Sequence, residues 1–204
     1  MGSLEIITVN YNTPDLVVRL VKSIREHEGD YIVHVVDGSD DEHPLPYIDD
    51  NVLVHHIGWN IHHGRGLDYA LNNVEADWCL LIDSDNYIKK PIIEKIKTMT
   101  VDGNYIVGHY CHTDKNGNSV ERGYSKKFPI QYWHPSFMLI NVAFYKHIGV
   151  KFIHHGAPAI EIAKYLDKLK FSPCIDIGDY LNEDINDYVF MEGEGTVKRW
   201  GYNL

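Results

Sequence analysis

Over the first half of the chain, short continuous apolar runs alternate with segments whose apolar residues recur at helical spacing. The continuous runs have the length and β-branched content of buried strands, and they lie at 4–9, 31–39, 51–57 and 77–83. The segments with helical spacing lie at 10–29, 64–74 and 91–99. Pro14 and Pro91 suit first helical positions, and Gly29 suits a helix end. This order predicts parallel strands joined by crossover helices, as in nucleotide-binding α/β sheets.

The second half of the chain has a less regular pattern. Residues 104–112, followed by the polar turn 113–119, suggest a hairpin. The remaining predicted elements are a strand at 135–141, a helix at 158–169 and a last strand at 172–177. No internal repeat or linker divides the chain, so we expect one domain over residues 1–204.

Two carboxylates, Asp83 and Asp85, follow the fourth predicted strand in the segment CLLIDSDN. In an extended chain, residues i and i+2 point to the same side, so these charges would repel unless a cation lay between them. Carboxylate oxygens suit Mg²⁺ or Mn²⁺, and a metal here could neutralise a departing diphosphate. The alternative is an ordinary polar turn in which Ser84 and Asn86 are turn residues.

The ends of the first and second predicted strands carry further candidate binding residues. Asp37 ends the second strand and could accept a hydrogen bond from the imide N–H of a pyrimidine base; its alternative is a strand-ending turn. At the end of the first strand, the backbone could contact the base and an aromatic side chain could stack, or the segment could simply enter the helix. These residues are Thr8, Val9, Asn10 and Tyr11.

Two further charged residues have candidate roles in the reaction. Arg65, between two glycines, suits diphosphate oxygens, and its alternative is a surface ion pair with Asp68. Glu161 lies near the start of a helix and could be the general base for an incoming hydroxyl group. Its alternative is favourable charge at a helix N-terminus, and Glu183 and Asp184 compete for the catalytic role.

Several histidines and the C-terminal segment provide weaker candidates. Four histidines could line a substrate pocket or provide a third metal ligand: His109, His134, His154 and His155. The paired histidines of the chain do not match a zinc-binding spacing. The glycine-rich segment 191–202 could fold over a diphosphate through Glu192, Glu194 and Thr196, with Lys198 and Arg199 adding positive charge, or it could be a disordered terminus.

The composition narrows the functional classes. The formal net charge of −10 disfavours a broad basic face for nucleic acid, although it permits anionic ligands held through a metal or a few arginines. Three widely spaced cysteines suit a reducing compartment, no signal peptide is visible, and no apolar run would span a bilayer. We expect a soluble cytoplasmic protein, which could be one domain of a longer chain.

Taken in order, the motifs IITVNYN, VVDGSDD, GRGLDYALN and LLIDSDN resemble those of family 2-like GT-A nucleotide-sugar glycosyltransferases over roughly residues 4–100. The resemblance implies a GT-A, Rossmann-like fold with a mixed, mainly parallel sheet flanked by helices. It also implies a UDP-sugar held over Mn²⁺ or Mg²⁺. Asp37 would bind uracil, Asp85 the metal, and Asp83 the ribose or the metal, with Arg65 near the nucleotide. Residues 1–100 would form the nucleotide-sugar half and 101–204 the acceptor half.

The main functional hypothesis is therefore a divalent-metal-dependent, hexosyltransferase-type enzyme. It would move a sugar from a UDP-sugar to a hydroxyl group of a glycan or another acceptor. The acceptor half lacks a clear GGxxED segment, for which GAPAIEIA or LNEDIN could substitute. This keeps open a non-catalytic nucleotide-sugar- or carbohydrate-binding module of a larger protein. A nucleotidyltransferase is a weaker alternative, because the first strand is not followed by a basic glycine-rich loop.

Overall fold

The computed structural model describes residues 2–100, 103–118, 130–153, 157–169, 174–181 and 183–192. Its centre is a seven-stranded sheet in the order β3-β2-β1-β4-β7-β6-β8. These strands are β1 (Leu4–Asn10), β2 (Val33–Asp37), β3 (Val52–His56), β4 (Trp78–Ile82), β6 (Ile106–Thr113), β7 (Ile130–Asn141) and β8 (Cys174–Asp176), and a separate two-stranded sheet pairs β5 (Asn86–Ile88) with β9 (Val189–Met191).

The helices are α1 (Pro14–His27), α2 (His63–Asn73), α3 (Ile93–Lys97), α4 (Val142–Ile148), α5 (Ile160–Leu169) and α6 (Ile177–Leu181), and a 3₁₀ turn covers Ile185–Asp187. In agreement with the sequence, α1 begins at Pro14. No helix in the described ranges is long and apolar enough to cross a membrane.

The large sheet is mixed and mainly parallel, as predicted. β1 pairs in parallel with β2 and β4, and β2 pairs in parallel with β3. β7 runs antiparallel to both of its neighbours, β4 and β6, while β8 is parallel to β6. The four parallel strands of the first half therefore place their carboxyl ends along one edge, where ligands bind in open α/β sheets.

Both faces of the central strands are covered, which explains their continuous apolar runs, whereas the edge strand β3 leaves Leu53 and Val54 exposed. On β4, Cys79 and Leu81 pack in the layer that contains α2, α4 and α5. Trp78, Leu80 and Ile82 face the opposite layer, which contains α1 and α3. All five residues of β4 are buried, so the strand ends where polar side chains begin, at Asp83.

Two expectations about local structure need correction, and two short strands were not expected. The expected hairpin after 104–112 is part of a wider antiparallel pair, because β7 begins at Ile130, and the connection at 119–129 lies outside the described residues. The strand predicted at 172–177 is not the last, since β9 follows it and pairs with β5. The pattern of the chain did not predict β5 or β9, which have only three residues each.

Candidate functional site

Polar side chains converge at the carboxyl edge of the parallel strands. Asn10, Asp37 and His56 end β1, β2 and β3, and they are direct neighbours across the two strand pairs. Asp83 follows β4, which pairs with β1 on its other side. The structure therefore brings the predicted residues Asp37 and Asp83 to the same edge of the sheet.

The Asp37 side chain is held in a buried hydrogen-bond network. Its Oδ1 accepts from Asn10 Nδ2 at 2.9 Å and from the main-chain N–H of Ser39 at 3.1 Å. Its Oδ2 lies 3.5 Å from Nδ1 of His56. Asp37 is only 2% exposed, so these contacts fix the direction of the carboxylate. Oδ1 of Asp37 thus accepts two hydrogen bonds from the protein, whereas Oδ2 faces the more exposed His56.

The predicted base-contacting segment packs tightly around this network. Thr8 and Asn10 are buried, and the described residues offer no hydrogen-bond partner to Oγ1 of Thr8. Asn10 Oδ1 accepts from Thr13 Oγ1 at 2.8 Å. Val9 and Tyr11 are partly buried, and a Cβ at Gly66 would lie 2.8 Å from the Val9 side chain. Val9 therefore packs against α2, and contact of these residues with a base remains a prediction.

Gly38 allows a second segment to approach Asp37. A Cβ on residue 38 would lie 2.7 Å from the main-chain oxygen of Trp59, which is closer than a carbon atom can approach. The main-chain N–H of Gly38 also donates to the carbonyl of Asn10 at 3.0 Å. The loop after β3 thus closes over the turn that follows Asp37, and its Trp59 side chain stays 54% exposed.

Asp83 and Asp85 lie in a turn, which corrects the extended geometry expected for them. The N–H of Asn86 donates to the carbonyl of Asp83 at 3.0 Å, closing a turn between β4 and β5. The carbonyl of Ser136 on β7 accepts from the N–H of Asp83 at 3.1 Å and from Asn86 Nδ2 at 2.8 Å. The turn and its hydrogen bonds to β7 therefore set the direction of both carboxylates. The alternation of side-chain direction along an extended strand does not apply to them.

The imidazole of His63 lies beside Asp83 within the protein itself. His63 Nε2 is 3.1 Å from Asp83 Oδ1, and both side chains are partly buried. Burial alone would lower the pKa of His63, but the carboxylates of Asp83 and, more weakly, Asp85 outweigh burial and raise it. Burial would raise the pKa of Asp83, and the His63 charge outweighs that effect and lowers it. The sequence reasoning treated His63 as one of a pair of ordinary histidines and missed this position.

His134 approaches the same carboxylate from β7. Its Nδ1 accepts a hydrogen bond from the main-chain N–H of Ser136 at 3.1 Å. His134 also contributes to lowering the pKa of Asp83. Among the other candidate histidines, His109 is exposed on β6, and residues 154 and 155 lie outside the described part of the chain.

The donor set at the turn suits a divalent ion that a substrate helps to bind. Oδ1 of Asp83 is a buried oxygen for which the described residues provide no hydrogen-bond donor of good geometry, despite the nearby imidazole. Within the described ranges, no three His, Cys, Asp or Glu side chains form a metal-binding cluster. Mg²⁺-type ions commonly take one or two carboxylates and complete their shell with water and substrate phosphates. Asp83 and Asp85 fit that arrangement.

Arg19 of α1 reaches the same turn and was also missed by the sequence reasoning. Its Nη2 donates to the carbonyl of Asp85 at 2.6 Å and to Glu192 Oε2 at 3.0 Å. Arg19 and Ser23 lie one helical turn apart, on the side of α1 that contacts β5. The rest of the predicted C-terminal lid, including Glu194, Thr196, Lys198 and Arg199, lies outside the described residues.

Arg65 is exposed in the first turn of α2, close in sequence to His63. The described residues show no ion pair between Arg65 and Asp68. Asp68 instead accepts hydrogen bonds from the N–H of Phe152 at 2.9 Å and from the hydroxyl of Tyr145. A surface ion pair with Asp68 therefore does not account for an arginine at position 65.

The candidates for the general base have protein partners. Glu161, in the first turn of α5, accepts from Lys164 Nζ at 2.6 Å, which supports its alternative role in stabilising the helix. Glu183 pairs with Lys95 at 3.2 Å, and Asp184 caps the 3₁₀ turn through the N–H of Asn186 at 2.9 Å. A catalytic role for Glu161 remains a prediction.

The comparisons with known proteins give one family and one fold. The family model described as Glycosyl transferase family 2 matches residues 5–160. No curated protein matches the chain. The crystal structure of S. aureus TarS superposes with a TM-score of 0.63 at 16% identity, over 92% of this chain and 36% of that chain.

Two further solved structures superpose with a TM-score of 0.61 at 14% identity over 86% of this chain. The mannosyltransferase PcManGT from Pyrobaculum calidifontis, in complex with GDP-Man and Mn²⁺, is covered over 54% of its length. Glucosyl-3-phosphoglycerate synthase from Mycobacterium tuberculosis, in complex with UDP, is covered over 69%. At these identities the structural likeness shows the fold alone. The chain spans 36% of the length of TarS and 54% of that of PcManGT.

Proposed function

The chain belongs to glycosyl transferase family 2 and has the GT-A fold, and from this premise we propose that it transfers a sugar from a nucleotide-diphosphate donor to an acceptor hydroxyl group. The observation that carries the proposal is the convergence of Asp37 and the Asp83–Asp85 turn at one edge of the sheet. Asp37 suits a base, and Asp83 and Asp85 suit a metal–diphosphate group. The base and the diphosphate are two parts of such a donor.

The donor is a UDP-sugar, and the state of Asp37 supports this choice. Its Oδ1 already accepts two protein hydrogen bonds, so Oδ2 is the better placed oxygen for a ligand. Uracil presents one imide N–H between two carbonyls, which one carboxylate oxygen can accept. Guanine presents two adjacent donors, which would be best met by both carboxylate oxygens. The related structures include one with UDP and one with GDP-Man, so the fold by itself does not select the base.

Different residues beside the proposed diphosphate position would bind the metal, attract the anion and hold the turn in place. Asp83 and Asp85 would hold a Mn²⁺ or Mg²⁺ ion, which would stabilise the charge of the departing UDP. His63, the first residue of α2, contacts the Asp83 carboxylate, and Arg65 and the N-terminal amides of the same helix would favour an anion. His63 and Arg19 hold the two sides of the turn in place through Asp83 and the Asp85 carbonyl. Catalysis then consists mainly of positioning and of leaving-group electrostatics.

The acceptor is a hydroxyl group of a glycan or of another molecule, and Glu161 is the proposed base. For this role Glu161 would have to exchange its contact with Lys164 for a contact with the acceptor. The transferred group is a hexose, as the resemblance to the family implies. Glycan biosynthesis is the corresponding cellular role.

The experiment that tests the proposal is a thermal-stability screen of nucleotide sugars with and without Mn²⁺, followed by donor hydrolysis and transfer assays. A ligand that binds only the native state raises the melting temperature. We expect stabilisation by UDP-sugars with Mn²⁺, and its loss in Asp85→Asn. Asp167→Asn, which changes an exposed carboxylate on α5, is the matched control. Absence of any stabilisation by nucleotide sugars would contradict the proposal.

A non-catalytic nucleotide-sugar-binding module is the second candidate. The observation that favours it is the engagement of Glu161 by Lys164, which leaves the proposed base with a structural role. Calorimetry with UDP and Mn²⁺, set beside donor turnover, separates the two functions. Tight binding with no hydrolysis or transfer for any stabilising donor would favour the module.

A further inference from the structure

We propose that Arg19 is a positioning residue for Asp85, which fixes the turn between β4 and β5 for metal–diphosphate binding and couples it to the end of β9. The inference rests on the proposed function. It concerns a residue outside the sequence motifs, separated from Asp85 by 66 positions and from Glu192 by 173.

The first support is that one guanidinium nitrogen bridges two acceptors. Arg19 Nη2 donates to the Asp85 carbonyl at 2.6 Å and to Glu192 Oε2 at 3.0 Å. A charged donor forms shorter and stronger hydrogen bonds than a neutral one. The main chain of Asp85 is therefore held directly, and the orientation of that peptide determines where the Asp85 carboxylate can point.

The second support is the ladder on which these acceptors lie. In the small sheet, Asn86 pairs with Met191 and Tyr87 pairs with Phe190. Asp85 and Glu192 are the next residues beyond the Asn86–Met191 pair, so Arg19 joins the two strands at the end nearer the site. Its guanidinium also lies 5.0 Å from the centre of the Tyr87 ring, which stacks on Phe190 at 4.9 Å.

The third support is that α1 holds β5 at two separate points. Arg19 contacts the Asp85 carbonyl just before the strand, and Ser23 Oγ accepts from the N–H of Ile88 at 2.9 Å at its other end. The two side chains lie one helical turn apart and make comparable structural contacts, but only Arg19 adjoins a candidate metal ligand. Ser23→Ala is therefore the matched control for a purely structural role.

The Arg19–Glu192 ion pair is not expected to add much to the stability of the fold. The Arg19 and Glu192 side chains are 38% and 30% exposed, and ion pairs with such access to water contribute little to stability. The effect that we assign to Arg19 is therefore local geometry at the turn. Lysine in its place could reach one acceptor, but it lacks the planar fork and the stacking surface of arginine.

The test measures Mn²⁺ binding by calorimetry in the presence of saturating UDP for the wild-type chain, Arg19→Gln, Arg19→Lys and Ser23→Ala. We expect Arg19→Gln to weaken Mn²⁺ binding about tenfold, the size of effect seen when a residue that orients a metal ligand is removed. Arg19→Lys should recover part of the loss, and Ser23→Ala should bind like the wild type. Equal weakening by Arg19→Gln and Ser23→Ala, or no weakening by either, overturns the inference.

Hydrogen exchange in the ligand-free protein gives a second readout that does not depend on metal. Arg19→Gln should accelerate exchange at the Asn86 amide, which closes the turn onto Asp83. Ser23→Ala should instead accelerate exchange at the Ile88 amide, its own partner. Unchanged exchange at Asn86 in Arg19→Gln contradicts the positioning role.

The two readouts separate the inference from the function on which it rests. If the wild-type chain binds UDP with Mn²⁺ and Arg19→Gln binds equally well, the inference fails and the proposed function stands. If the wild-type chain binds no UDP with Mn²⁺, the proposed function fails and the inference fails with it. In that case, hydrogen exchange still shows whether Arg19 orders the turn.

Discussion

The imidazole of His63 lies 3.1 Å from the carboxylate of Asp83, so one member of the acidic pair has an imidazole partner inside the protein. The Asp83 carboxylate therefore has a protein partner before any metal binds. A metal at Asp83 would share this carboxylate with the imidazole. His63 therefore influences both the stability of the turn and its affinity for an ion.

Removal of the His63 charge should destabilise the chain and change its response to metal. We expect His63→Gln to lower the free energy of unfolding by about 1 kcal/mol, as for a partly exposed ion pair. Mn²⁺ with UDP should stabilise this variant more than the wild type, because the imidazole no longer competes with the metal for the Asp83 carboxylate. Urea unfolding of His63→Gln, Asp83→Asn and the double variant isolates the pair. Additive effects of the two substitutions would show that the contact contributes nothing.

Asp37→Asn should change base preference with little effect on the fold. The amide oxygen can keep the hydrogen bonds from Asn10 and Ser39, which places an NH₂ group where Oδ2 stood. That group cannot accept from the imide of uracil, so UDP affinity should fall about 10- to 100-fold, which corresponds to about 1.4 to 2.8 kcal/mol for a mispaired polar group. Calorimetry with UDP and CDP measures the change. Equal loss for both nucleotides would contradict base recognition by Asp37.

Gly38→Ala should destabilise the base side of the site because its Cβ would lie 2.7 Å from the main-chain oxygen of Trp59. Since backbone cannot yield as a side chain does, we expect a loss of about 1–3 kcal/mol in stability. UDP affinity should fall as well, because the turn after Asp37 must shift. Gly29→Ala is the control: its φ is +95°, but its Cβ would meet no atom within 4 Å, so only conformational strain follows. A wild-type affinity for UDP in Gly38→Ala would disprove the link.

Asp49 should contribute stability that is lost in acid. Arg25 donates to both of its oxygens, at 2.8 and 3.0 Å, and these bonds lower the pKa of Asp49 below its ordinary value. A carboxylate with a lowered pKa stabilises the native state above the pKa of the unfolded chain, and the effect disappears as pH falls through the native pKa. Asp49→Asn should therefore cost up to about 1 kcal/mol at pH 7, since the pair is partly exposed.

Urea unfolding of the wild type and Asp49→Asn at pH 7 and at about pH 2, below the ordinary pKa of an aspartate, checks this expectation. The difference between the two proteins should vanish at the lower pH. A difference that persists unchanged in acid would mean that Asp49 acts through packing and that its charge is not involved.

The sequence alone determined the alternating architecture of the first half and the residues that end its strands. Buried parallel strands must be apolar throughout, so the first polar residue after each run marks the carboxyl edge of the sheet. This reasoning placed Asp37 and Asp83 at one edge and predicted the mixed, mainly parallel fold. The order of the motifs also indicated the family that the family model matches.

Only the tertiary structure decided what surrounds the acidic pair. His63 and Arg19 reach it from two different helices, and nothing in their local sequence marks those contacts. The strands β5 and β9 have three residues each, too few to show a hydrophobic period, and pairing across about a hundred residues defines them. Periodicity reports which side chains are buried, whereas the partner of a polar side chain depends on packing between elements that are distant in the chain.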